Sequence, residues 1–156
     1  MRYLFFFLLL FFGGCSTKSF SHKESKIVVI KSPKIRFSDI GYIKHDGDAI
    51  ELELYSTGVA IETISIDRLV CVKKGCMSKK AFNEQYLSKA YPDDTMANIL
   101  MRKPIFGGKN MQKQSNGFVQ RIKTDVVNIT YKVSDGNVYF KDRRNAILFK
   151  LKNIRD

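Results

Sequence analysis

Side chains able to do chemistry are few in this 156-residue chain, and they are scattered. Its two histidines, His22 and His45, lie in a polar stretch and in a turn-forming run. Neither has a nucleophile and a carboxylate spaced around it as a catalytic triad requires. Asp46, Asp48 and Glu51 crowd one segment but offer too few oxygen ligands for a calcium loop, and a solvated hairpin accounts for them. Gly107-Gly108-Lys109 lacks the spacing and the preceding strand of a phosphate loop. Cys71 and Cys76 have no further Cys or His nearby and make a poor zinc site. The expectation is a protein that is not an enzyme, with no cofactor and no metal.

The third cysteine stands in a different setting. Residues 2–15 read RYLFFFLLLFFGGC. Arg2 supplies a positive start, residues 3–12 are an unbroken apolar run, and Gly13 and Gly14 are small residues before Cys15. That order is a secretory signal. The run is too short for a bilayer span, which needs about 20 apolar residues. It also has no polar face, as a surface helix of a globular domain would. The stretch Phe12-Gly13-Gly14-Cys15 resembles the lipobox of bacterial lipoproteins, whose best-known form has Leu where Phe12 stands. The resemblance implies removal of residues 1–14 and attachment of lipid to Cys15; the alternative is a plain signal peptide with a chance cysteine. Ser16 occupies the place where Asp commonly retains lipoproteins in the inner membrane, which implies the outer membrane, the periplasmic face before the cell surface.

Export changes the reading of the remaining residues. Cys71 and Cys76 are an even pair in an oxidising compartment, so a disulfide closing a small loop between a strand and a helix is expected. The formal charge of +12 stays almost wholly with the mature chain, because Arg2 is the one charged residue of the signal. A nucleic-acid partner is not expected of an exported protein. The charge is either a solvated basic surface or a means of contact with anionic lipid head groups or an acidic protein. Residues 15–26 read as a lipidated flexible tether and residues 27–156 as a single β-rich domain, a monomer.

Hydrophobic periodicity divides the domain. Strands are expected at 27–30, 35–44, 50–54, 59–66 and 69–72. The clearest alternation is Ile50, Leu52 and Leu54 against Glu51 and Glu53. Ser78 can cap a helix to about residue 89, with Phe82 and Tyr86 on one face. Pro92 breaks it. A second helix starts at Asp93-Asp94, carries Met96, Ile99 and Leu100 as its stripe, and stops before Pro104. A polar loop at 107–116 precedes four closing strands at 117–123, 126–133, 138–141 and 146–152. The fold class is β-rich α+β: a meandering antiparallel sheet with two short helices inserted near its middle.

This order of elements resembles the outer-membrane lipoprotein receptor (LolB) family, which accepts lipoproteins from a periplasmic carrier and places them in the outer membrane. Three stretches carry the resemblance: ELELYSTGVAIE at 51–62, YPDDTMANILMRKP at 91–104, and the closing strand at 147–154. It implies a curved antiparallel sheet forming a half-open barrel (LolA/LolB-like) with two helices as lid. It further implies a cavity for acyl chains lined by Ile50, Leu52, Leu54, Met96, Ile99, Leu100, Val127, Ile129 and Tyr131. The family's membrane or cargo loop falls at Tyr55, Ser56, Thr57, Gly58 and Val59. Thr57 stands where the family projects a leucine, so Tyr55 and Val59 would supply the apolar contact. Partners implied are membrane lipid through the N-terminal acyl groups, lipoprotein cargo and a periplasmic carrier. The same inward residues can instead close into a dry core, as in an envelope assembly or scaffold subunit with no lipid-transfer role.

Cys15→Ala should release the protein from the membrane fraction. Fractionation and mass spectrometry check this; a wild-type chain without an acyl group, whose variant fractionates unchanged, overturns the lipoprotein reading.

Overall fold

The computed structural model describes residues 19–154, so the signal and Cys15 lie outside it. Eleven strands form one antiparallel sheet: β1 (His22–Lys31), β2 (Arg36–Asp46), β3 (Ala49–Ser56), β4 (Val59–Ile66), β5 (Leu69–Val72), β6 (Gly75–Ser78), β7 (Met111–Gln114), β8 (Gly117–Lys123), β9 (Asn128–Ser134), β10 (Asn137–Asp142) and β11 (Ile147–Asn153). Two short helices, α1 (Lys79–Tyr86) and α2 (Thr95–Leu100), separate β6 from β7. The spatial order is β6-β5-β4-β3-β2-β1-β11-β10-β9-β8-β7. The chain meanders outward from β1 to one edge, crosses through the helices to the other edge, and meanders back until β11 pairs with β1. The sheet does not close, since β6 and β7 each have a single neighbour.

Period-two alternation sends one face of every long strand into a single core. Ile50, Leu52 and Leu54 are buried on β3, and Ile129, Tyr131 and Val133 on β9. Phe118, Tyr131, Phe140 and Phe149 continue this core across four strands, with successive ring centroids 5.4, 6.1 and 5.9 Å apart in edge-on pairs. Thr57 and Gly58 link β3 to β4 with φ of 50° and 82°, the two positive values that a tight hairpin turn requires.

Several elements depart from the sequence reading. β1 starts at His22, inside the expected tether. Its polar first half has no hydrophobic signature, but the ladder with β2 engages one flank of its backbone and long-range partners hold its side chains. Glu24 pairs with Arg102 and Lys26, and the Lys26 ammonium donates to Gly136 O and Asn153 Oδ1 at 3.3 and 2.6 Å. Burial alone would raise the pKa of Glu24; Arg102 first, then Lys26, hold it below the usual carboxylate range. β6 and β7 are short strands without an apolar alternation, drawn into the sheet by their neighbours, β7 within the expected loop. α1 is capped by Ser78, whose Oγ accepts from Ala81 N, but it stops at Tyr86. The stack of Phe82 on Tyr86, centroids 4.9 Å apart, follows the expected face.

Buried polar side chains fasten the helical crossing to the sheet. Gln120 is fully buried; its Oε1 accepts from Ile105 N while its Nε2 donates to Ile105 O and Lys109 O. The Tyr131 hydroxyl donates to Lys103 O. The Tyr91 hydroxyl, from the segment between the helices, donates to Asp142 Oδ2 at 2.8 Å. Asp142 also accepts from Asn145 Nδ2 and from the backbone N–H groups of Asn128 and Arg144. Burial would raise its pKa, but these donors, Asn145 foremost, hold it low. The Tyr91 hydroxyl is pushed far above its ordinary value by burial and by the carboxylate it faces. A carboxylate whose folded pKa is depressed adds stability above its unfolded pKa, and that stability is lost as pH falls through the folded value. Asp142→Ala leaves buried donors unmet and should cost about 3 kcal/mol near neutral pH. Thermal melts at pH ~7 and pH ~2 should show the variant's deficit shrinking in acid. A variant as stable as wild type at neutral pH overturns the role given to Asp142.

Candidate functional site

One opening in the fold is lined half by apolar and half by charged or polar side chains. It forms where β2 and β3 part. β2 pairs with β1 along its whole length, yet its ladder with β3 runs only over Gly41–Asp46. Gly41 sits at the parting point, where a Cβ would lie 2.7 Å from Val28 Cγ2 and 3.1 Å from Glu53 O. A side chain there would force the strands apart within the core. Opposite, the β3–β4 register shifts between Leu54 and Tyr55, so that Ile61 is the extra residue of a β-bulge. Bulges re-aim side chains, and this one turns Ile61 towards the gap.

The result is a groove of about 500 Å³ between α1 and the strands β2, β3 and β4. Ile35, Phe37, Leu54, Ile61 and Tyr86 supply its apolar surface. Lys34, Arg36 and Lys74 stand against one carboxylate, Glu62. That carboxylate is already engaged: its Oε1 accepts from the backbone N–H of Thr63 and of Lys73, at 3.0 and 2.9 Å. It thereby ties β4 to the β5–β6 turn. The surplus charge of the groove is positive, which suits a ligand with an apolar body and an acidic head.

Residues expected at a site are distributed unevenly around this groove. Of the nine residues expected to line a cavity, Leu54 lines the groove. Leu54 itself is 1% exposed, and it and the other eight, Ile50, Leu52, Met96, Ile99, Leu100, Val127, Ile129 and Tyr131, are 3% exposed or less and belong to the packed core. The helix stripe meets the sheet side chains directly and fills the space the expectation left open. In the loop Tyr55–Val59, Val59 is 64% exposed, and Thr57 and Gly58 are exposed at the tip. Tyr55 is half-buried, its ring edge-on to Tyr42 with centroids 5.2 Å apart.

Ile61, Phe37 and Tyr86 were missed as groove residues. A signal for Ile61 exists in the chain: on β4, strict alternation from Ile64 and Ile66 would put Glu62 on the core face and Ile61 outside. The bulge leaves Ile61 43% exposed beside the groove and Glu62 half-buried. Elsewhere, His22 and His45 are cross-strand partners with rings stacked 4.6 Å apart. Among the described residues, no group of three or more His, Cys, Asp or Glu is placed to hold a metal ion.

Cys71 and Cys76 face each other across the β5–β6 hairpin and are joined by a disulfide. The bond braces the turn Lys73-Lys74 at the groove rim. Compared with protein-family models, curated proteins and solved structures, the chain matches none. For so short a loop, reducing this disulfide should cost about 2 kcal/mol. Alkylation before and after reduction checks the bond itself: two freely labelled thiols in the unreduced protein overturn it.

Proposed function

We propose that this chain is an outer-membrane lipoprotein of LolB-like architecture, anchored through Cys15, that binds acyl chains and receives lipidated cargo for insertion into the membrane. The groove beneath Tyr86 carries this reading. Its volume lies within the range of small-molecule sites, which begins near 300 Å³. Its walls suit a hydrocarbon chain, and each methylene buried contributes about 0.8 kcal/mol. Lys34, Arg36 and Lys74 suit an acidic head at the mouth. An unclosed antiparallel sheet with helices between its edges also suits a half-open barrel whose helices act as lid. No bond is made or broken in such a handover, so no catalytic group is required.

A second reading, a non-catalytic scaffold subunit of the envelope, is favoured by the filled core, which leaves the expected interior cavity lined by packed side chains. The two readings separate at the groove. A fluorescent fatty acid should bind the wild-type protein, and Tyr86→Ala with Ile61→Ser should weaken binding about tenfold or more, given the apolar contact removed. Val59→Ser, at the exposed tip, should leave fatty-acid binding unchanged but slow transfer to liposomes. A wild-type protein that binds no acyl probe overturns the proposal in favour of the scaffold.

A further inference from the structure

On the sheet face opposite the core, charge is segregated. The register across β8, β9, β10, β11, β1 and β2 aligns Arg121, Lys141, Lys31 and Arg36 in one row. The next row holds Lys132, Tyr139 and Lys150 on adjacent strands. In the third, Lys152 lies opposite Ile27, and Ile27 opposite Ile40. These rows contain no carboxylate, and none of their cations forms an ion pair among the described residues. Acidic residues on this face lie on β3, where Glu51 and Glu53 are bound by Lys44 at 3.0 and 2.7 Å. Asp135, in the β9–β10 turn, is engaged by Asn116 and Ser134.

The lysine rows have relief and an apolar component. Lys132, Tyr139, Lys150, Lys152, Asn137 and Asn153 frame a hollow of about 590 Å³, with the Lys150 ammonium 5.8 Å from the Tyr139 ring centroid. Beside it, Ile27 and Ile40 are 39% and 40% exposed, a paired apolar step on an otherwise cationic face.

We propose that this face docks flat on an anionic bilayer, with the ammonium groups among the lipid head groups and Ile27 and Ile40 entering the interfacial layer. Charge complementarity selects the occupant. Protein interfaces deplete lysine and favour arginine, whose planar fork makes fixed bidentate pairs. Here most of the cations are lysines, flexible point charges suited to a diffuse layer of phosphates. Each lysine near an anionic surface changes partitioning roughly fivefold. The inference does not depend on acyl binding in the groove, with which this face shares Arg36 at its margin.

The test is lysine footprinting of the full chain on vesicles of phosphatidylcholine alone or with added phosphatidylglycerol, read by mass spectrometry. On the anionic vesicles, modification of Lys132, Lys150 and Lys152 should fall at least about threefold, while Lys80 on α1 stays reactive. Salt near 1 M, where the screening length is about 3 Å, should restore labelling. The readout works whether or not Cys15 carries lipid and needs no variant. Equal labelling on both vesicle types, or protection as strong on the neutral ones, overturns the proposal.

Discussion

A single backbone ladder makes one sheet out of two. β1 and β11 pair over Lys26–Lys31 and Leu148–Asn153, and every other strand pairing among the described residues is between sequence neighbours. Without that ladder there would be two separate meanders, each with an apolar face turned to water. With it, the two faces become continuous, and Val28 and Ile30 on β1 join Phe149 and Leu151 on β11 at the middle of the core. The free edges are thereby pushed to β6 and β7, and the connection between them has to cross the core face.

That crossing is the expensive part of the architecture, because irregular backbone lies against an apolar surface. The molecule satisfies it with side chains aimed at backbone groups. Gln120 imitates a strand neighbour for Ile105, Tyr131 satisfies Lys103 O, and Asn83 donates to Tyr91 O and Pro92 O. The crossing covers most of the core face. Where β2 leaves β3 beyond Gly41 and the bulge swings the β3–β4 hairpin aside, coverage is incomplete, and the groove is what remains.

Much of the sheet was legible in the chain because burial on one face imposes a two-residue period. Ile50, Leu52 and Leu54, and Val127, Ile129, Tyr131 and Val133, declare their strands through it. Ser78 declared its cap, since a hydroxyl there meets an otherwise unsatisfied N–H. What stayed hidden lacks a local cause. Residues 22–26 and 111–114 are polar and become strand through partners far along the chain. Gln120 and Asp142 look like surface residues until the crossing is in place. The contents of the interior were illegible for a related reason: alternation says which side chains point inward, whereas whether helices fill the remaining space depends on how closely they approach. The groove residues come from β2, β3, β4 and α1, and only the misplaced pair Ile61-Glu62 hinted at them.

The position of β1 in the middle of the sheet sets an order in time. It is the first described strand to leave the ribosome, and its second partner is the last. From β2 onward one flank of β1 can be paired at once, but its other flank waits until β11 has emerged. During that interval the chain carries an open strand edge in what will become its centre, an invitation to pair with another copy. The waiting stretch is Lys26–Lys31, and the lysines at its two ends blunt it: they make a poor template for an intruding strand, and Lys26 meets its native partners Gly136 and Asn153 only with the rest of the chain.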